Sequence, residues 1–235
     1  MKLILESIEK SFDEKEVLKG ASFTFETGLI YGLLGRNGAG KTTLFNCINE
    51  DVKIDGGSYK IEEDGLIRDV TPDDLGYVLS TPMVPEFLTG REFVKFLLDI
   101  NEDKIDNKKD IDTYFDLVKI DIEDRDRLIK DYSHGMKNKM QILVSIISNP
   151  HILMLDEPLT SFDVVVADEM KQLLRSMKKD HIIIFSTHIM ELALELCDVI
   201  VIIHNGILEK VEKENLDNSE FKNKIINLLR GDESA

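Results

Sequence analysis

Eight consecutive residues, Gly35-Arg36-Asn37-Gly38-Ala39-Gly40-Lys41-Thr42, fit the pattern G-x-x-x-x-G-K-[ST] in full. Glycines in such a loop let successive backbone N–H groups turn inward around phosphate oxygens. A helix starting near Lys41 would add the positive end of its dipole. The Lys41 ammonium would then reach the β- and γ-phosphates of a nucleoside triphosphate, and the Thr42 hydroxyl would serve Mg²⁺. A second element is Ile152-Leu153-Met154-Leu155-Asp156-Glu157. Four apolar residues read as a buried strand, and two carboxylates emerge at its carboxyl end, where ligands bind in α/β sheets. There Asp156 can hold Mg²⁺ directly or through water, and Glu157 can take a proton from an attacking water. His188 follows the apolar run Ile182–Phe185 and the polar pair Ser186-Thr187. A histidine in that place can touch a γ-phosphate or orient water. On spacing alone the plainer reading is a helix N-terminal or loop histidine with no role.

The elements that must position these residues alternate strand with helix. Leu29–Leu34 is a short apolar run ending at the glycine-rich loop, and strands are expected at Gly56–Ile61 and Leu75–Leu79. From Thr89 to Pro150 the periodicity is helical. Arg91–Ile100 and Ile111–Ile120 are expected helices. A third follows Ser133, with Met136, Met140, Leu143, Val144 and Ile147 on one packing face. Asp121–Asp126 reads as a solvated acidic stretch. Strands return at Ile152–Leu155, Ile182–Phe185 and Val199–Ile203. Between the first two, Val166, Met170, Leu173, Leu174 and Met177 mark an amphipathic helix. Asn205-Gly206 between two apolar runs reads as a hairpin turn, and Phe221–Leu229 as a short terminal helix. The expected organisation is one domain over 1–235, with an α/β core in 1–80 and 151–235 and a helical insertion at about 81–150.

Composition narrows the function classes. The 235 residues carry 45 acidic and 29 basic side chains, a net charge of −16, which argues against broad nucleic-acid binding. Cys47 and Cys197 have no metal-ligand spacing and read as small buried apolar residues in a reducing compartment. The residues Met1–Glu6 lack the apolar stretch of a signal peptide. No apolar run approaches the ~18 residues that span a bilayer, so a membrane role is expected to come through a partner.

In order, these elements resemble the nucleotide-binding subunit of ATP-binding cassette (ABC) transporters over nearly the whole chain. The resemblance implies an α/β fold: a P-loop NTPase core of ABC-ATPase type with an antiparallel β region and an inserted α-helical subdomain. Gly35–Thr42, with Thr43 beside it, looks like the Walker A motif, and Ile152–Glu157 like Walker B with its catalytic glutamate. Leu159-Thr160-Ser161-Phe162-Asp163 looks like the D-loop, and His188 like the switch histidine. Phe12 falls where the family places an aromatic that stacks on adenine; the alternative is a strand residue in the core. Tyr132-Ser133-His134-Gly135-Met136 matches the signature LSGGQ at Ser133 and Gly135 and departs from it at His134 and Met136. In the family this motif caps ATP bound to the opposite subunit of a head-to-tail dimer, a contact implied here for Ser133 and the backbone near Gly135. The variant S-x-G-M-K-x-K-M looks like that of bacterial exporters whose ATPase is a separate polypeptide. After Gly76-Tyr77-Val78-Leu79 the family carries a glutamine that senses Mg²⁺ and water. This chain has Ser80, which is shorter and is expected to weaken or rewire that link.

The resemblance therefore implies an ATPase that uses ATP and Mg²⁺, with Lys41, Glu157 and His188 in catalysis. Its implied partners are a membrane-embedded permease and a second ABC ATPase subunit, the same or related, with no nucleic acid. The implied location is cytoplasmic, peripheral on the inner face of the membrane through the permease. Rival readings are a soluble ABC ATPase of repair or translation, a small-molecule P-loop kinase, and a cassette that binds ATP without turnover. One phosphate loop, the absence of coiled-coil heptads and zinc-type cysteines, the signature segment, and the presence of both Glu157 and His188 weigh against them in turn.

Overall fold

The computed structural model describes residues 1–105, 109–158 and 164–211; the expected D-loop and terminal helix lie outside the described residues. The strands are β1 (Lys2–Phe12), β2 (Lys15–Glu26), β3 (Ile30–Leu34), β4 (Gly56–Glu63), β5 (Leu66–Asp69), β6 (Leu75–Val78), β7 (Ile152–Asp156), β8 (Ile182–Thr187), β9 (Val199–His204) and β10 (Ile207–Val211). The helices are α1 (Lys41–Ile48), α2 (Gly90–Ile100), α3 (Ile111–Leu117), α4 (His134–Ser148), α5 (Val164–Met177) and α6 (Met190–Leu196). An antiparallel sheet has the order β2-β1-β4-β5. A second sheet has the order β10-β9-β3-β8-β7-β6, parallel except at the edge strand β10.

Strands of a parallel sheet covered on both faces are apolar on both sides, and the side chains divide accordingly. Ile152, Met154, Ile182 and Ile184 face a core shared with the antiparallel sheet and with Leu44 and Phe45 of α1. Leu153, Leu155, Ile183 and Phe185 face the opposite core, closed by Met170 and Leu174 of α5 and Ala193 and Leu196 of α6. A third core joins α2, α3 and α4 through Phe93, Phe115, Met140, Leu143 and Ile147. Met136 and Val144 pack against that core, so the methionine-bearing face of α4 is a packing face. Both cysteines are buried; burial pushes the Cys47 thiol up to about 11, which makes it inert.

Local chemistry sets the helix ends. Thr89 and Glu92 form a reciprocal capping box at α2. Ser133 caps α4, its Oγ accepting from Met136 N at 3.2 Å, and Asn149 closes that helix in the left-handed conformation before Pro150. Helix α3 ends at Leu117, short of the expected Ile120, because Lys119 turns to φ 51° and the chain folds back. Asn205 and Gly206, at φ 49° and 78°, form the expected hairpin turn between β9 and β10.

The edge strand β6 is fastened by a buried carboxylate. Asp74 accepts two bonds from the Arg68 guanidinium at 2.7 and 2.8 Å, two from Thr71, and faces His151 Nδ1 at 2.9 Å. Burial alone would raise its pKa, but the bonds from Arg68, His151 and Thr71 hold the carboxyl well below the usual range. A carboxyl depressed in the folded state stabilises the protein above its unfolded pKa of ~3.9, and that contribution is lost as the pH falls below it. Asp74→Asn should therefore cost about 2–3 kcal/mol in urea unfolding at pH 7. The gap between variant and wild type should narrow at about pH 3; an unchanged gap there would exclude this linkage.

Candidate phosphate-binding and hydrolytic site

The site is built on the carboxyl ends of β3, β7 and β8. Leaving β3, Gly35 N donates to Thr187 O of β8 at 3.3 Å. The loop then turns through Gly38 at φ 81° and Gly40 at φ 108°, conformations that a side chain would strain. Gly40 caps α1 with no side-chain hydrogen bond, and the first turn holds no acidic residue. The first N–H groups of α1 therefore present their dipole end to an external anion.

Lys41 folds back over this loop. Its Nζ donates to Gly35 O at 2.8 Å and Arg36 O at 3.1 Å, and stands 3.7 Å from Glu157 Oε1. The side chain is only 5% exposed. Burial pulls the ammonium's pKa down, and the negative charges of Glu157 and Asp156 oppose that shift. Beside it, Thr42 Oγ1 donates to Asp156 Oδ2 at 2.7 Å. Ser186 Oγ donates to Asp156 Oδ1 at 2.5 Å and accepts from Glu157 N at 3.0 Å. His188 Nδ1 lies 3.1 Å from Glu157 Oε1.

Glu157 itself sits at φ 49°, a left-handed conformation that costs an L-residue about 1 kcal/mol or more. The Ser186 hydroxyl holds its amide in that turn, so the carboxylate leaves the strand axis and meets Lys41 and His188. Ser186 is fully buried and is the residue that sequence reasoning missed. Its only sequence signal is a polar residue closing an apolar strand. The pairing of Asp156 with Ser186 across β7 and β8 gives it meaning.

Phe12 belongs to none of the three cores. It closes β1, is 45% exposed, and lines a cavity of about 320 Å³ together with Lys15, Val17, Asn37, Gly38, Gly40, Lys41, Thr42, Thr43 and Glu157. Arg36 and Ala39 line the neighbouring cavity with His204 and Asn205. Ser133 and Gly135 stand at the N-terminus of α4 and do not line the Phe12 cavity. Ser80 is exposed, two residues past the end of β6, and the side-chain partners of Asp156 are Thr42 and Ser186. Because Val78 pairs with Leu155, the chain segments leaving β6 and β7 depart at the same height.

A family model described as ABC transporter matches residues 18–160. The bacitracin transport ATP-binding protein BcrA of Enterococcus faecalis is 29% identical over 228 residues, covering 93% of this chain and 71% of that one. The uncharacterized ABC transporter ATP-binding protein MJ1023 of Methanocaldococcus jannaschii is 35% identical over 214 residues, covering 87% and 75% respectively. Among solved structures, one described as an ATP binding subunit of an ABC transporter superposes with a TM-score of 0.79. It is 21% identical and covers 97% of this chain and 99% of that one, a likeness of fold. The chain belongs to the ABC transporter ATP-binding family and is an ATPase of that class. Among the described residues no helix is long and apolar enough to cross a membrane.

The donors present suit Mg²⁺. The Thr42 hydroxyl and the Asp156 carboxylate are hard oxygen donors already within 2.7 Å of each other. Among the described residues no group of three or more His, Cys, Asp or Glu could hold a metal ion.

Proposed function

We propose that this chain powers an exporter-type ABC transporter by hydrolysing ATP and driving a separate membrane permease. The observation that carries the hydrolytic reading is the meeting of Lys41, Glu157 and His188 beside the Thr42–Asp156–Ser186 chain of hydrogen bonds. Lys41 exchanges its two loop carbonyls for phosphate oxygens, and the Gly35–Thr43 backbone surrounds the rest. Thr42 and Asp156 would hold Mg²⁺, which would supply positive charge against the phosphates. Glu157 accepts the proton of the attacking water, and His188 keeps its carboxylate aimed. Phe12 offers its ring to the adenine.

The coupling is proposed to run through a second cassette, the same or related. Ser133 and the Gly135 backbone, outside the cavity of their own chain, are free to cap ATP held by that partner. Binding then favours a closed pair, and hydrolysis releases it. The segment at about 81–150, as a helical subdomain set into a core of 1–80 and 151–235, would pass this movement to the permease. Relatives named as ABC transporter ATP-binding proteins, one for bacitracin transport, support the transport role. The signature variant supports export, and the strong net negative charge speaks against nucleic acid. The proposed place is the cytoplasmic face of the membrane, through the permease.

The test is isolation from native membranes followed by ATPase assay of the complex. A polytopic permease should co-purify and raise turnover. Ser80→Gln, at the position proposed to face Mg²⁺ and water, should change that stimulation severalfold. A chain that recovers no such partner, or a Ser80→Gln complex coupled like wild type, would contradict the respective reading.

A further inference from the structure

Phe12 does not stand alone at the cavity rim. Lys10 and Phe12 are two residues apart on β1 and so lie on one face of the strand. The Lys10 ammonium sits 5.4 Å from the Phe12 ring centroid. Its side chain is only 13% exposed, and Nζ donates to Asp55 Oδ1 at 2.8 Å. Asp55 does more than balance that charge. Its second oxygen accepts from Ser11 N at 2.6 Å, and its own amide donates to Glu9 O at 2.8 Å. One residue, directly before β4, thus ties Glu9, Lys10 and Ser11, the three residues leading into Phe12.

We propose that Lys10 and Asp55 are a positioning pair that makes Phe12 a one-sided platform for the nucleotide's base, so that they set base affinity separately from phosphate affinity. This rests on the reading of Phe12 as the base-stacking residue. The ammonium covers one ring face and draws π density toward itself. Phe12 lines the cavity and Lys10 does not; a base stacked on the ring face away from the ammonium would meet a less negative surface, which suits an electron-rich purine. The Asp55 bonds fix both the cation and the strand end, so the platform exists before the nucleotide arrives and little ordering is needed on binding. An exposed phenylalanine belonging to none of the three cores is thereby given a function.

The experiment is calorimetric titration of the full chain with Mg·ATP and, separately, with inorganic tripolyphosphate, which carries the phosphates and no base. Phe12→Ala should weaken ATP at least about fivefold and leave tripolyphosphate within about twofold. Lys10→Met should weaken ATP roughly three- to tenfold, again sparing tripolyphosphate. Lys10→Arg, which keeps a cation over the ring, should restore binding. The Lys10→Met/Phe12→Ala double variant should be no weaker than Phe12→Ala. If Lys10→Met does not fold, Lys10→Gln carries the same test, because it removes the cation and keeps a donor for Asp55. An ATP affinity unchanged in Phe12→Ala removes the platform itself. A loss in Phe12→Ala with none in Lys10→Met, or an equal loss for tripolyphosphate in Lys10→Met, overturns the positioning role and leaves the platform standing.

Discussion

Lys41→Ala should abolish measurable ATP binding, weakening Kd by on the order of 100-fold or more at two charge-assisted contacts of about 1.5–3 kcal/mol each. Three features of the site make the effect large. The ammonium is already out of water, so most of its desolvation cost falls on folding and little on binding. Its ammonium stands 3.7 Å from Glu157, and removing it takes away positive charge between two adjacent carboxylates and the phosphates. Its removal also leaves the Gly35 and Arg36 carbonyls without the donor that now bridges them. Equilibrium titration with Mg·ATP measures this directly. A Kd within about threefold of wild type would mean that the loop binds through its backbone alone.

Glu157→Gln should separate binding from chemistry. The substitution keeps size and one carbonyl oxygen, so the His188 contact and the Lys41 neighbourhood survive in shape. What disappears is a group able to accept a proton, and general-base removal typically costs about 10²–10⁴ in rate. ATP affinity should hold or rise, since one negative charge beside the γ-phosphate is gone. Protein isolated with Mg·ATP and then acid-quenched should release mostly ATP, where wild type releases ADP. Turnover within about tenfold of wild type would remove Glu157 from the role of base.

The parts of this site legible from sequence were those encoded by contiguous residues. The Gly35–Thr42 loop needs only its own glycines and the strand and helix on either side. Strands β7 and β8 were legible because a parallel strand buried on both faces is an unbroken apolar block. The parts that escaped depend on neighbours distant in the chain. The long hairpin β1–β2 has no clean period-two signal, because register shifts near Ser7 and Ser11 break its alternation. Ser186 looked like any strand-end serine until β8 was laid beside Asp156. The exposure of Phe12 and its tie to Asp55 come from strands more than forty residues apart. The left-handed turn at Glu157 has no signature in residue type, since glutamate does not favour it.

The central claim is that one constellation both holds ATP and hydrolyses it. Phosphate release and nucleotide occupancy measured side by side, on wild type and Glu157→Gln with Mg·ATP, test it most directly. Occupancy of Glu157→Gln should equal or exceed that of wild type, and wild type should release phosphate at least about 100-fold faster than the variant. Equal phosphate release from both at equal occupancy would contradict it.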